Sequence, residues 1–369
     1  MKNLIYLLLL SMTIPSCKKE EARQVNQYTI EQFYTNTRFE GGTFSADETR
    51  LLVGSDETGI FNLYEITLAD GAKKQLTTST VESYYPVDYV PGMSALIYSA
   101  DKGGNEIDHL YLLEDNGKTT DLTPGENNKV SFFKWSEDKK SMFYISNIRD
   151  PKYFDVYKMN IGEWIPTLFY ENKSGLDVNE ISDDEKTLVV SKTVTTSENE
   201  LYLVNKETGT QTELSLPDQK GRYGVSGFSK DNKYVFYLTD GGKEFTYLVQ
   251  YDMNSGERKV LYETNWDVMY TFLSEKETYR VIAINEDGKN TIIMQDAASG
   301  KTIDFPAIPD GDILGVEISD SEKLMRLSVG TSKAPNNIYL YNLETKELKK
   351  LTESLNKEIN ADDLVSAEV

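Results

Sequence analysis

Six short stretches of this 369-residue chain share one pattern: an aromatic or branched apolar residue, a serine, polar residues, and then an alternating apolar strand. They are Phe44-Ser45-Ala46-Asp47, Trp135-Ser136-Glu137-Asp138, Ile181-Ser182-Asp183-Asp184, Phe228-Ser229-Lys230-Asp231, Leu273-Ser274-Glu275-Lys276 and Ile318-Ser319-Asp320-Ser321. The gap from Ser45 to Ser136 is twice the others, and Val90-Pro91-Gly92 fills the empty place. Successive steps are then 45, 46, 46, 47, 45 and 45 residues, giving seven copies at one period. A period of this length marks a repeat architecture in which one small unit buries its faces only against its neighbours.

Each copy reads as four strands. After the serine turn comes a second strand such as SMFYIS or KYVFYLT, then a third ending near Gly or Asn, as in ELYLVNKETG, and a short fourth such as LKKLT. Alternating apolar and polar positions with β-branched and aromatic residues argue for strands. Asp-Gly, Asn-Gly and Ser-Gly pairs supply turns that need positive φ. Four strands per copy, repeated radially, predict an all-β, seven-bladed β-propeller over residues 39–352. The apolar residue before each serine should face the neighbouring blade from the inner strand. Ser45, Ser136, Ser182, Ser229, Ser274 and Ser319 are expected to hold the tight turn by local side-chain to backbone bonds, a structural role rather than a nucleophilic one. No strand is left over to link the last blade to the first, so the ring is expected to close without strand exchange, by blade-face packing alone. Residues 28–39 read as a short helix and lead-in, with an extra edge strand as the alternative.

The segment YTIEQFYTNTRFEGGTFSADETRLLVGSDETGIFNLYEI resembles the start of the propeller in the prolyl oligopeptidase family of serine peptidases. That family carries a W/F-S-P-D-G-K/R turn in its blades; the copies here keep the apolar residue, the serine and usually an acid, and lack the proline and glycine. The tail, residues 353–369, is similar to the strip where the family's propeller passes into its α/β-hydrolase domain. The resemblance covers residues 28–369. It implies a propeller that gates or binds peptide substrates for a hydrolase domain. Hydrolases of that kind carry a Gly-x-Ser-x-Gly elbow with Asp and His partners. Gly224-Val225-Ser226-Gly227-Phe228 and Gly330-Thr331-Ser332-Lys333-Ala334 lack the closing glycine, and the one histidine, His109, falls in a third-strand pattern and reads as a strand-surface residue. No catalytic residue is therefore expected within these 369 residues.

The N-terminus, MKNLIYLLLLSMTIPSC, has a lysine and then an apolar run far shorter than the ~20 residues a bilayer needs, which reads as a secretory signal. Ile14-Pro15-Ser16-Cys17 resembles a bacterial lipobox, so residues 1–17 are read as a lipoprotein signal with Cys17, the only cysteine, as the lipid attachment site. The resemblance implies a membrane partner through that anchor, on the outer membrane of a gram-negative cell envelope, facing either the periplasm or the surface. Residues 18–38 are then a tether and lead-in.

Lys+Arg 39 against Asp+Glu 60 gives a net charge of −21, which repels phosphate backbones and makes nucleic acid a poor partner. One His and one Cys supply no zinc cluster, and no Gly-rich phosphate loop follows a strand, so no metal or cofactor is expected. The remaining partners are peptides or a protein. The competing function is a stand-alone TolB-like propeller lipoprotein that binds a protein in the cell envelope.

Overall fold

A computed structural model describes residues 26–308 and 311–366. The proposed signal and Cys17 lie outside the described residues. Within them, 28 strands form seven four-stranded antiparallel sheets, each with its strands in sequential order. The chain is a seven-bladed β-propeller. The first strands, which line the axis, are Phe39–Phe44, Tyr85–Tyr89, Val130–Trp135, Asp177–Ile181, Tyr223–Phe228, Asp267–Leu273 and Asp312–Ile318, opening blades 1 to 7.

Burial follows position in the blade. Second strands such as Arg50–Ser55 and Tyr234–Thr239 are buried along nearly their whole length, because blades cover both of their faces, and so they read as unbroken apolar runs. Fourth strands such as Lys73–Gln75 and Gln211–Glu213 are three residues long and exposed. Short, polar outer edges keep each blade from pairing with another sheet. Seven apolar clusters fill the seven seams, one between each pair of blades. The one between blades 7 and 1, for instance, packs Phe39, Leu51 and Tyr64 against Ile338 and Leu351.

The serine turn is one structure used six times. In blade 1, Ser45 Oγ donates to Asp47 Oδ1 (2.6 Å) and accepts from the Arg50 N–H (3.1 Å), while the Glu48 N–H donates to the Ser45 carbonyl (2.7 Å). The residue three beyond each serine has positive φ: Glu48 (52°), Lys139 (55°), Glu185 (60°), Asn232 (54°), Glu277 (56°) and Glu322 (63°). This is a tight turn followed by a left-handed residue, within a four-residue hairpin connection. In blade 2 the Met93 N–H donates to the Val90 carbonyl, and the positive φ moves to Gly92 (71°). Pro followed by Gly at the two centre positions is the type II solution to the same hairpin.

A non-glycine residue in the left-handed region is strained, and these side chains have a use there. Asn232 Oδ1 accepts from the Asp183 N–H of blade 4 (3.1 Å), Glu277 Oε1 from the Lys230 N–H of blade 5 (2.8 Å), and Glu322 Oε1 from the Lys276 N–H of blade 6 (2.8 Å). Glu48 completes the series by accepting from the Ser321 N–H of blade 7 (2.7 Å). Each turn from blade 4 onward is thus bonded to the next, and the last to the first.

Among the described residues no strand is exchanged between the first and last blades, as expected. Closure by face packing alone does not hold, however. Besides Glu48, the Lys349 ammonium of blade 7 donates to the Leu68 and Ala69 carbonyls of blade 1 (3.0 and 2.7 Å). The two ends of the described chain also clasp each other. Helix Ile30–Tyr34 opens with a capping box between Thr29 and Gln32, and the segment around it bonds the tail. Thr37 N–H donates to the Ser354 carbonyl, Asn356 N–H to Asn36 Oδ1, and Tyr28 Oη to Asp363 Oδ2 (2.9, 2.8 and 2.7 Å). The lead-in is helical rather than an edge strand because its polar groups are used by the tail.

Candidate functional site

In a four-stranded meander the turns after strands one and three lie on one face of the ring, and those after strands two and four on the other. The serine turns occupy the first face. The clasped ends enter and leave through the second, where the Arg38 N–H meets Asp56 just beyond the second strand of blade 1 (2.7 Å). Cavities gather on the serine-turn face. One of about 650 Å3 lies between blades 1 and 2, lined by Arg50, Glu65, Tyr89 and Gly92. A second, about 330 Å3, reaches the axis beside Asp88, Trp135 and Glu317. A third, about 180 Å3, sits opposite, between blades 3 and 6, beside Lys134, Phe236 and Arg280.

The inner strands beside these cavities are irregular. Every first strand carries one register irregularity against its second strand, for example at Gly41/Thr43, Val178/Glu180 and Ile313/Gly315. Such bulges sharpen the local twist and re-aim side chains. Gly42 in the first bulge has φ +121°, and a Cβ there would come within 2.9 Å of the Arg326 side chain. Exposed residues of the inner strands include Glu40, Ser131, Asp177, Asn179, Met269 and Leu314, a mixed and mostly polar lining.

Two charged groups stand out on this face. The Asp88 carboxylate accepts from Trp135 Nε1 (2.8 Å) and from the Tyr89 N–H (2.7 Å). Burial pushes its carboxyl up to about 6, opposed by those two hydrogen bonds and aided by Glu317. Lys134 bridges from blade 3 to blade 4, where its ammonium donates to Glu180 Oε1 (3.1 Å), the Ile181 carbonyl (2.9 Å) and Asp183 Oδ1 (3.4 Å).

The residues singled out in the sequence fall elsewhere. Ser45, Ser136, Ser182, Ser229, Ser274 and Ser319 are all buried in their turns. Where the second residue after the serine is aspartate, the hydroxyl donates to it (2.6–2.7 Å in blades 1, 3, 4 and 5). In blade 7 that aspartate is replaced by Ser321, and Ser319 Oγ donates instead to Glu48 of blade 1 (3.0 Å). None of these hydroxyls has a basic side chain as partner, so none is set up as a nucleophile. His109 is buried rather than on a strand surface. Its Nδ1 lies 2.8 Å from Asp121 Oδ2 and its Nε2 3.0 Å from the Gly125 carbonyl, so both ring nitrogens are engaged in holding a loop.

The comparisons agree with this architecture. Residues 87–354 match the family model described as prolyl oligopeptidase, N-terminal β-propeller domain. The chain belongs to the prolyl oligopeptidase propeller family. Among solved structures it is similar to a prolyl endopeptidase from a study of two such enzymes and their inter-domain dynamics (16% identity, TM-score 0.66). That likeness covers 86% of this chain and 50% of the other. It is also similar to apo prolyl oligopeptidase B from Galerina marginata, with 14% identity, TM-score 0.66, and coverage of 90% of this chain and 53% of that one. These 369 residues therefore span about half the length of the solved peptidases they match. At such identities the likeness is one of fold. A search of curated proteins found no match. In this peptidase family the propeller alone is non-catalytic.

Asp88, Lys134, Glu48 and Arg280 were not among the sequence candidates. Arg280 left a visible signal: set in register, the seven copies have an apolar residue at its position in every blade but the sixth.

Proposed function

We propose that this propeller is the access-selecting part of a lipid-anchored prolyl-oligopeptidase-like protein, admitting or binding peptides for a hydrolase domain that performs the bond cleavage. The observation that carries this reading is the division of labour between the two faces. The described chain ends are clasped together on one face, the place for a further domain to join, and the three cavities described open on the other. The helix at the clasp leaves Ile30 (71%) and Tyr34 (85%) exposed, an apolar surface on the side where that domain would sit. Peptides would enter at the serine-turn face, past a lining of inner-strand side chains that selects by size and charge without breaking bonds.

An immunoblot of the native cells against the propeller tests this. A band larger than 369 residues account for by about 25–30 kDa, one ~250-residue domain, is expected. A band of the propeller's own size favours a stand-alone binding protein and removes the gating role. Anchoring in the cell envelope through Cys17 is tested separately, by metabolic labelling with a radioactive fatty acid. Label should appear in the parent and be absent from Cys17→Ala.

A further inference from the structure

Arg280 breaks the repeat at a core position. Its counterparts, paired in register with the last residue of each first strand, are Leu51, Leu96, Met142, Leu188, Val235 and Met325. Those six are apolar and at most 5% exposed; Arg280, paired with Leu273, is 6% exposed. Its guanidinium lies over the Phe236 ring, 4.5 Å from the centroid, and has no hydrogen bond or ion pair among the described residues. Burial lowers its pKa to about 10, and the one acid acting on it, Glu277, already accepts the Lys230 N–H. A buried charge without a hydrogen-bonded partner is costly, and a methionine or leucine would fill the position as it does elsewhere in the ring.

The guanidinium borders the cavity of about 180 Å3. Phe228, Phe236 and Phe272 form apolar walls beside it, with Ser226 at their edge. On the far side Glu180 and Asp183 are held by Lys134, which has no capacity left over.

We propose that this cavity is a binding site for a carboxylate carried on a short apolar stem, with Arg280 as the anion-binding residue. A carboxylate is planar and singly charged and matches the two parallel donors of one guanidinium. A dianion such as phosphate would meet a single free cation and two neighbouring carboxylates. The phenylalanines hold the stem. The carboxylate comes from a free organic acid or from the C-terminus of a peptide. Binding needs no second domain, so it is separable from the gating role.

Titration calorimetry on the full chain tests the site with propionate, N-acetylalanine, N-acetylalaninamide and inorganic phosphate. Saturable binding of the two carboxylates is expected, with the amide and phosphate at least tenfold weaker. Tighter binding of N-acetylalanine than of propionate assigns the peptide source, and the reverse order the free acid. Arg280→Met, which places at this position the residue found in blades 3 and 7, should weaken carboxylate binding at least tenfold. Arg280→Lys, which keeps the charge and loses the fork, should fall between. Absence of saturable heat with either carboxylate, or equal affinity in Arg280→Met, overturns the proposal.

Discussion

Blade 1 meets blade 7 on one side and blade 2 on the other, and the two seams are built in opposite ways. At the 7–1 seam the turns are bonded to each other through Glu48, Lys349 reaches two carbonyls of blade 1, and the clasped chain ends span the opposite face. At the 1–2 seam the turn of blade 2 has Gly92 in place of a left-handed side chain, so it offers no side chain to the turn of blade 1, and a cleft of about 650 Å3 opens. Its polar contacts are inside: Thr43 Oγ1 donates to the Val87 carbonyl (3.4 Å), and Glu65, paired with Arg50 of its own blade (2.7 Å), also accepts from Tyr89 Oη (3.0 Å). A ring without strand exchange has to place its reinforcement where the chain is cut. Here that seam is stitched at its inner turn, at its outer edge and at the chain ends, and the open cleft lies one blade away.

Glu48→Ala should be the largest single loss. It leaves the Ser321 N–H and the Ser319 and Ser321 hydroxyls without their shared acceptor. Removing a charged acceptor from partly buried donors costs about 2–3 kcal/mol. Urea unfolding should show it as a lower midpoint. Glu48→Gly should recover about 1 kcal/mol of that loss, because φ 52° is no strain for glycine. Equal stability of the parent and Glu48→Ala would mean that the seam closes by apolar packing after all.

A second effect depends on pH and belongs to blade 2, where Asp88 meets Trp135 of blade 3. Asp88 of blade 2 has its carboxyl raised to about 6 by burial, and the charged groups nearest it are Glu317, which raises it further, and Lys139, which lowers it. An acid whose folded pKa lies above its unfolded value of about 3.9 holds its proton more tightly in the folded state. Its contribution is fully present below pH 4 and is lost as pH rises through 6, by on the order of 2 kcal/mol. Melting temperature should therefore show a descending component between pH 4 and 6 that disappears in Asp88→Asn, whose amide oxygen still accepts from Trp135. A parent and Asp88→Asn that track each other across this range would remove Asp88 as the cause.

Tyr89→Phe probes the inside of the 1–2 seam. The phenol is held un-ionised by burial and by Glu65, and it donates to a carboxylate that Arg50 also holds. Loss of one of two bonds to Glu65 should cost about 1 kcal/mol. The same change should speed proteolysis at the cleft more than elsewhere, if opening begins there. Cleavage that starts instead at the chain ends would place the weak point at the 7–1 side.

Much of this was readable from the sequence, and what was missed has a common physical character. The period of the serine turns fixed the blade count, and even Val90-Pro91-Gly92 declared itself, because type II chemistry replaces serine capping in a recognisable way. The bonds that cross from blade to blade were hidden. Glu48, Glu322 and Asn232 act on residues about one repeat away or, for Glu48, at the far end of the chain, and local patterning carries no trace of which neighbour a side chain will meet. A clue did exist in the acid positions. The turns at Ser274 and Ser319 lack the aspartate two residues on, and in both cases a glutamate from the next blade, Glu322 or Glu48, serves the serine instead. His109 was misjudged for the same reason, since the partners that bury it, Asp121 and Gly125, lie on the next strand and in the loop beyond it.

The smallest expected change is at Lys349, and it separates two ways in which the strong seam could be strong. Its ammonium donates to the carbonyls of Leu68 and Ala69, just beyond the third strand of blade 1, at a half-exposed site. Water competes for the exposed one of these bonds, so Lys349→Met should cost only about 0.5 kcal/mol. If Glu48 and Lys349 stitch the same seam independently, the double variant should lose the sum of the two single losses. They lie on different strands of the blades, with no partner in common, which is the condition for additivity. A double variant that loses clearly more than the sum would show that the seam opens as one unit, its inner turn and outer edge giving way together. Repeating the cycle with Tyr89→Phe in place of Glu48→Ala asks whether the two seams of blade 1 are coupled. Additivity is expected there too, because blade 1 is a rigid sheet between them and each seam has its own apolar cluster.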